Sequence, residues 1–306
     1  MLFKILLLGA LGAVFGAVVP GGLVDIPPDL LEDFYRISQY AKAAICKANH
    51  NATSVGSPVY CDPENCTIIM QAQTEILYGF SGIMPGDTTG YIAVDKSAEL
   101  IVLSFRGTVS AANRWIDFQI SHVDASSLCD GCKAHNGFWN ASSTAHEILL
   151  PQLASALASY PGYRLVVTGH SLGGALATLE SLYLRQAGYR VDMYTFGALS
   201  VGNLALAEYT TYQGVGHNFR ITHDADNIPK ILYRLSRTLV GIIPEYSQSS
   251  PEYWITSGNK EDPPVTPADI QVIEGVNNET GNLGATRPER EAHLWYLGTT
   301  KVCEDK

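Results

Sequence analysis

The stretch LVVTGHSLGG, residues 165–174, runs from an apolar segment into a turn in which glycines flank a serine. Residues 165–168 are typical of a strand covered on both faces, and residues 171–187 are rich in Ala and Leu, which indicates a helix. A serine at such a strand-to-helix turn has the pattern of a nucleophile elbow, and the glycines let the turn close tightly. The segment therefore predicts an α/β fold in which Ser171 is a nucleophile.

Strands and helices alternate on both sides of this turn. Apolar runs predict strands over residues 90–94, 100–105, 165–168, 191–196 and 218–222. Helical spacing marks residues 30–48 and 143–160, and Pro151 predicts a kink or a break in the second of these helices. This order indicates a mostly parallel central sheet flanked by helices, and no repeat or linker divides it. We therefore expect one domain over residues 29–306.

The N-terminal segment has the composition of a secretion signal. Lys4 precedes an uncharged run over residues 5–19, and Gly16 and Ala17 are small enough to precede a cleavage site. The run is short for a membrane-spanning helix, which needs ~20 apolar residues. We predict that residues 1–17 are a signal peptide, that residues 18–28 are a pro-segment or a loose N-terminal arm, and that the protein is secreted and extracellular.

Composition and charge exclude several classes of protein. Of the 306 residues, 46% are hydrophobic and only 16% are charged, which is typical of a globular chain rather than a disordered one. The formal net charge of −10 opposes binding to nucleic acid, because phosphates would be repelled from such a surface.

The six cysteines fit an oxidising compartment, where an even number indicates disulfides. Four of them lie close enough in sequence to close two short loops, and the other two would join the ends of the domain: Cys61 with Cys66, Cys129 with Cys132, and Cys46 with Cys303. The CDGC spacing at residues 129–132 is also found in redox and zinc sites, but a lone pair in a secreted chain is more typical of a structural clip. No metal site is predicted.

A serine hydroxyl is a weak nucleophile and needs a base that an acidic residue orients. After a nucleophile elbow the chain order is serine, acid, histidine. Of the three histidines that follow Ser171, only His293 lies beyond Asp224 and Asp226, the two aspartates behind the strand predicted over residues 218–222. His293 is therefore the predicted base, and chain order leaves both aspartates open as the acid. Asp262 and Asp269 are weaker candidates, because no clear strand precedes them.

The same chemistry needs donors for the oxyanion that forms when the nucleophile attacks. One should be the backbone N–H of Leu172, directly after the nucleophile. Thr108, at the end of the strand predicted over residues 100–105, offers both an N–H and a hydroxyl as the second donor. The alternative for Thr108 is an ordinary turn residue.

Residues 111–120 have amphipathic spacing, with Trp115 and Ile116 on the apolar side. A short helix of this kind beside an oxyanion loop could be a lid that exposes its apolar face at a lipid surface and contacts the substrate. Periodicity alone equally allows a helix packed on the core.

Five ordered blocks resemble the secreted class 3 lipases of filamentous fungi, which belong to the α/β-hydrolase superfamily. The blocks cover almost the whole chain after the signal segment: LSFRGT (103–108), TGHSLGGALAT (168–178), RITH (220–223), SPEYWI (250–255) and HLWY (293–296). The resemblance implies hydrolysis of acylglycerol esters through an acyl-enzyme, with transient contact at the lipid–water interface. The implied partner is the acylglycerol alone, with no nucleic acid, and a monomer is expected.

The resemblance also assigns residues. It implies a catalytic triad of Ser171, Asp226 and His293, so that Asp226 is the acid that chain order left open. Thr108 and Leu172 are the implied oxyanion donors, and the lid lies near Trp115 and Ile116. It implies the same three disulfides, and it implies neither a metal nor an organic cofactor.

Two loops depart from the pattern of the family. Leu199 and Ser200 stand where the family usually has Pro-Arg, and residues 230–235 replace a short Leu-Pro-Pro-like turn. An apolar run over residues 239–243 follows the second departure. We hypothesise that Leu239, Val240, Ile242 and Ile243 enlarge the rim that contacts lipid.

Two other functions are weighed against a lipase. A feruloyl-type esterase of the same fold would carry a more polar lid, so Trp115 and Ile116 favour the lipase. A non-catalytic lipid-binding protein could retain the fold, but the intact nucleophile, acid and base speak against it.

Overall fold

The computed structural model describes residues 25–110, 113, 117, 119–257, 264–286 and 291–303. Within this part of the chain the backbone forms ten strands: β1 (Thr74–Ile83), β2 (Thr88–Asp95), β3 (Leu100–Phe105), β4 (His122–Asp124), β5 (Lys133–His135), β6 (Arg164–His170), β7 (Val191–Phe196), β8 (Asn218–His223), β9 (Glu252–Ile255) and β10 (Ile270–Ile273).

Six α-helices lie wholly within the described residues: α1 (Pro28–Ala43), α2 (Thr67–Gln71), α3 (Asn136–Ser159), α4 (Leu172–Gln186), α5 (Leu204–Tyr212) and α6 (Ile231–Thr238). Short 3₁₀ helices lie at Lys47–Asn49, Ala52–Ser54, Pro267–Asp269, Asn282–Gly284 and Glu291–Leu294. No helix in the described ranges is both long and apolar enough to cross a membrane.

Eight strands form the central sheet in the order β1-β2-β3-β6-β7-β8-β9-β10, and β4 pairs with β5 separately. The four pairings between β3 and β9 are parallel, whereas those at the two edges, β1-β2, β2-β3 and β9-β10, are antiparallel. The carboxyl ends of the parallel strands share one edge of the sheet, where functional groups of α/β proteins gather. This sheet, with helices on both faces, is the predicted α/β-hydrolase fold.

The sheet is buried on both faces because its strands alternate side chains between two apolar layers. Ile101 and Leu103 pack with α3 and α4 on one face, and Val102 packs with α1 on the other. All three side chains have no exposed area. A strand with two buried faces has little need for polar residues, which explains the continuous apolar runs in the sequence.

Most predicted strands and helices are confirmed within two residues at each end, but the helix predicted over residues 30–48 ends at Ala43. The helix predicted over residues 143–160, which contains Pro151, begins earlier, at Asn136. A kink or a break was expected at the proline, but α3 continues through Pro151 to Ser159, so no break occurs. Proline in a helix interior costs about 3 kcal/mol because it removes a backbone hydrogen bond and crowds the preceding turn. Leu149 and Leu153, both fully buried against α4 and the sheet, offset that cost.

The three predicted disulfides are present, joining Cys46 to Cys303, Cys61 to Cys66, and Cys129 to Cys132. The first of them connects positions 257 residues apart. It ties the loop that follows α1 to the segment just after His293, so α1 and the C-terminal segment lie side by side.

Candidate active site

The turn between β6 and α4 places Ser171 at the carboxyl end of the central strands. Its backbone has φ 59° and ψ −125°, a conformation that L-residues rarely adopt. A β-carbon on Gly169 would lie 2.3 Å from the backbone of Gly173, and one on Gly173 would lie 2.2 Å from the carbonyl oxygen of Phe105. Only glycine fits at either position, which is the close approach that the sequence predicted.

Ser171, His293 and Asp226 form one hydrogen-bonded chain. The Ser171 hydroxyl donates to His293 Nε2 over 2.9 Å, and His293 Nδ1 donates to Asp226 Oδ2 over 2.8 Å. The three residues are separated by up to 122 positions in sequence, and the fold brings them together at the ends of β6 and β8 and in the C-terminal segment. The arrangement matches a nucleophile, its base and the group that orients the base.

The Asp226 carboxylate is fully buried and accepts three hydrogen bonds. Besides His293, the Tyr296 hydroxyl donates to Oδ2 over 2.6 Å and the Ile228 N–H donates to Oδ1 over 2.9 Å. Burial acts to raise the pKa of Asp226, but these donors and the nearby imidazole together hold the pKa below its usual value. The carboxylate therefore stays ionised and fixes the tautomer of His293.

Two further histidines hold the backbone of the segment that carries His293. His170 Nε2 donates to the His293 carbonyl over 3.0 Å, and His223 Nδ1 donates to the Ala292 carbonyl over 2.9 Å. Burial, followed by the positive charge that His293 can carry, lowers the pKa of His170 to about 3. His170 is therefore neutral at ordinary pH and acts as a positioning donor next to the nucleophile.

Asp224, the aspartate that chain order could not exclude, takes no part in this chain. Its backbone carbonyl accepts from Trp254 Nε1 and from Asn282 Nδ2, each over 2.9 Å. Asn282 Nδ2 also donates to the Asp226 carbonyl over 2.9 Å. The carbonyls of the two aspartates thus anchor the loop after β8, and only the side chain of Asp226 reaches His293.

The predicted oxyanion donors lie beside the nucleophile. Leu172 is the first residue of α4, and a helix leaves its first N–H groups without intrahelical partners. The hydroxyl of Thr108 donates to Asp117 Oδ2 over 3.0 Å, which fixes its side chain. Burial raises the pKa of Asp117 to about 6, with the hydrogen bond from Thr108 opposing this shift. Asn113 Oδ1 accepts from the N–H of Ser110 over 3.0 Å and holds the loop after Thr108.

A cavity of about 220 Å³ opens on these residues. Ser171, His293 and Thr108 line it, together with Lys42 on α1 and Lys301 near the C-terminus. Trp115 and Ile116, the predicted lid residues, lie outside the described residues.

The roles of Tyr296, His170 and Asp117 were not predicted from the sequence. Tyr296 belongs to the block HLWY and His170 to the elbow, but neither was assigned a hydrogen bond in the site. Their spacing was a usable signal, because His170 adjoins the nucleophile and Tyr296 lies three residues after the base. Asp117 carried no such signal, since its contact with Thr108 depends on how the loop folds back.

The chain is similar to a lipase family and to two secreted fungal lipases. The family model described as "Lipase (class 3)" matches residues 102–235. A "secreted mono- and diacylglycerol lipase A" from Penicillium cyclopium is 40% identical over 296 residues, covering 94% of this chain and 92% of the relative. A "secreted mono- and diacylglycerol lipase 1" from Fusarium solani is 33% identical, covering 92% of this chain and 80% of the relative.

Comparison with solved structures agrees. The crystal structure of a mono- and diacylglycerol lipase from Aspergillus oryzae superimposes with a TM-score of 0.79 and 35% sequence identity, covering 90% of this chain and 98% of that one. The similarity therefore extends over the sheet, the flanking helices and the C-terminal segment.

Proposed function

The chain belongs to the class 3 lipase family, and from that premise we propose that it is a secreted enzyme that hydrolyses the ester bonds of acylglycerols. The hydrogen-bonded chain from Ser171 through His293 to Asp226, which opens into the cavity beside Thr108, carries the proposal. The names of the Penicillium and Fusarium relatives support mono- and diacylglycerols as the substrates.

The mechanism follows from the two hydrogen bonds that link Ser171, His293 and Asp226. His293 Nε2 accepts the proton of the Ser171 hydroxyl as the oxygen attacks the ester carbonyl, and Asp226 stabilises the imidazolium that forms. The N–H groups of Leu172 and Thr108 stabilise the oxyanion. His293 then gives its proton to the leaving glycerol oxygen, which leaves an acyl group on Ser171. Water activated by His293 releases the fatty acid.

A substrate panel tests the proposed function. We expect monoolein and diolein emulsions to be hydrolysed at least about 100-fold faster than methyl ferulate, because the alternative acyl group is polar and rigid. Release of titratable fatty acid is the measurement. Preference for methyl ferulate would favour a feruloyl esterase. A folded protein that hydrolyses no ester and whose Ser171 does not react with a fluorophosphonate would favour a lipid-binding protein.

Replacing Thr108 by Val tests whether its hydroxyl holds the proposed oxyanion donor, the Thr108 N–H, in place. The variant keeps the backbone N–H but removes the hydroxyl that donates to Asp117, so the donor loop loses its anchor. We expect kcat on a soluble p-nitrophenyl ester to fall by about 10- to 100-fold with little change in KM, because displacing the N–H can cost at most what losing one oxyanion donor costs. Thr108→Ser, which retains the hydroxyl, is the matched control and should retain most of the activity. Equal activity of the two variants would contradict the role of the hydroxyl.

The export of the protein is part of the proposal. Residues 1–17 and most of the segment 18–28 lie outside the described residues, and we retain the signal peptide and the N-terminal arm as proposed. The word "secreted" in the names of two relatives supports an extracellular location. N-terminal sequencing of the protein recovered from culture medium would locate the cleavage site.

An apolar tip after α6 supports contact with a lipid surface. Val240 and Ile242 are 79% and 76% exposed and follow α6, the helix that contains most of residues 230–235, where the sequence departs from the family pattern. Exposed apolar side chains of this size are costly to leave in water, at about 1.5–3 kcal/mol each relative to burial. We propose that this tip and the lid over residues 111–120 form the surface that enters the lipid.

Polar substitution separates a lipid-contact role from a structural one. The double variant Val240→Ser with Ile242→Ser should lose about 10-fold of its activity on an olive-oil emulsion and less than about 2-fold on a soluble short ester. Val55→Ser, at another exposed apolar position, is the control. Trp115→Ser tests the lid in the same two assays and should likewise lose more activity on the emulsion than on the soluble ester. For either variant, equal losses on both substrates would contradict a role in lipid contact.

A further inference from the structure

Lys42 is a buried cation in the wall of the catalytic cavity. Its side chain is almost fully buried at 3% exposure, near the C-terminal end of α1, and it lines the same cavity as Ser171 and His293. Its ammonium donates to the Leu297 carbonyl over 3.0 Å. The proposed hydrolysis of neutral acylglycerols gives this group no role.

The charge of Lys42 has no partner of opposite sign in the described part of the chain. No described carboxylate pairs with it, and the single carbonyl bond uses one of its three donors. Burial lowers the pKa of Lys42 to about 7. A buried cation is normally compensated by an anion, so an uncompensated one beside a cavity suggests that the anion is brought by a ligand.

The lining of the cavity supports the same interpretation. Lys301 also lines it, and none of the described lining residues carries a carboxylate. The whole chain has a formal net charge of −10, so two lysines in the wall of one cavity, with no carboxylate among its described lining residues, are not a general property of its surface. The end of the cavity between α1 and residues 300–301 is therefore locally cationic, next to the nucleophile.

We propose that this end of the cavity binds a phosphate on the alcohol part of the substrate, so that the enzyme also hydrolyses acylglycerols that carry a phosphate monoester. The inference rests on the proposed function, because the ester must still reach Ser171. A lysine binds phosphate as a point charge, and both Lys42 and Lys301 line this cavity. A phosphate is the anion we propose because the leaving alcohol is a glycerol. A glycerol hydroxyl that carries no acyl group is where a lipid bears a phosphate.

The reaction is the same hydrolysis with a charged leaving group. Ser171 Oγ attacks the acyl carbonyl, the bond between that carbon and the glycerol oxygen breaks, and His293 gives the proton to the glycerol oxygen. Glycerol phosphate leaves with its phosphate intact. Water then cleaves the acyl-enzyme and releases the fatty acid.

The test compares lysophosphatidic acid with monoolein, which share the acyl ester and differ in the phosphate. The assay is run at about pH 6.5, where most of an amine with that pKa is protonated. We expect the wild type to hydrolyse both lipids, and glycerol 3-phosphate to inhibit hydrolysis of a soluble ester more strongly than inorganic phosphate does. Lys42→Met should lower the rate ratio of lysophosphatidic acid to monoolein about 10- to 100-fold, as expected for loss of a charged hydrogen bond.

Two further variants keep the test decisive if Lys42→Met does not fold. Lys301→Gln changes an exposed residue and should lower the same ratio about 3- to 10-fold. Lys133→Gln removes an equal charge from a lysine outside the cavity and should leave the ratio within about 2-fold.

The outcomes separate the two proposals. Hydrolysis of monoolein without hydrolysis of lysophosphatidic acid would overturn the phosphate site and leave the proposed function standing. Inhibition by inorganic phosphate without turnover of the phosphorylated lipid would also overturn it, because the anion would then be free rather than part of the substrate. Failure to hydrolyse either lipid or any soluble ester would count against the proposed function itself.

Discussion

Replacement of Ser171 by Ala is expected to lower kcat/KM for a soluble ester by about 10⁴- to 10⁶-fold. The substitution removes only the hydroxyl, which lies 2.9 Å from His293 Nε2. The proposed oxyanion donors, the N–H groups of Leu172 and Thr108, remain. The residual rate should therefore stay measurably above the rate in water. Initial rates on a p-nitrophenyl ester, together with labelling by a fluorophosphonate, provide the measurement.

A matched serine on the following helix controls for effects on folding. The Ser181 hydroxyl donates to the Ala177 carbonyl over 2.7 Å within α4 and is fully buried. Ser181→Ala should change kcat/KM by less than about 3-fold, because the bond it removes is local to the helix. Both variants should keep a midpoint of thermal unfolding close to that of the wild type. Labelling that persists in the Ser171→Ala protein would place the nucleophile elsewhere.

The elbow could be predicted because its constraint is local. A sharp strand-to-helix turn needs glycine at fixed positions, and the contacts of Gly169 and Gly173 with neighbouring backbone allow no side chain. The parallel strands were equally visible, because two-sided burial leaves continuous apolar runs such as residues 100–105. Both signals lie within a few residues of the feature that they predict.

The edges of the sheet were harder to predict because their strands are short or partly exposed. β9 and β10 have four residues each, and β1 alternates buried with partly exposed positions. Glu252, a charged residue in β9, is buried where two residues of the neighbouring strand compensate it: Arg220 pairs with it over 3.2 Å, and the Thr222 hydroxyl donates to it. A pairing between residues 32 positions apart cannot be inferred from the local pattern.

The polar environment of the site could not be predicted for the same reason. Tyr296 donates to Asp226 across 70 positions, and Lys42 donates to Leu297 across 255. In sequence, Lys42 is one charged residue within the helix predicted over residues 30–48, and nothing in the local pattern predicts that it is buried. Its burial becomes clear only when the disulfide between Cys46 and Cys303 brings the C-terminal segment against α1.

The choice between the two aspartates after β8 depends on a single backbone turn. Asp224 has φ 39°, and this left-handed residue turns the chain so that Asp226, two positions later, points its carboxylate at His293. Chain order places both residues equally well, because they follow the same strand and precede the same histidine. A pair of isosteric substitutions can therefore test the assignment directly.

Asp226→Asn is expected to lower kcat/KM by about 10⁴-fold, and Asp224→Asn by less than about 3-fold. The amide at position 226 would offer an N–H where His293 Nδ1 now donates, so the imidazole would be held in the tautomer that cannot accept the proton of Ser171. Asp224 contributes its backbone carbonyl to the contacts with Trp254 and Asn282, which the substitution leaves in place. Initial rates on a soluble ester, with thermal unfolding as the check on folding, provide the comparison.

The pH dependence of stability gives an independent test of the same carboxylate. Its pKa is lowered in the folded protein, so its hydrogen bonds stabilise the fold above the unfolded pKa of about 3.9, and that stabilisation is lost as the pH falls through the folded value. Asp226→Asn should therefore show a smaller decrease in unfolding free energy on acidification below about pH 4 than the wild type. If Asp224→Asn instead caused the large loss of activity, Asp224 would have to be the acid, and the loop after β8 would have to change its turn for its carboxylate to reach His293.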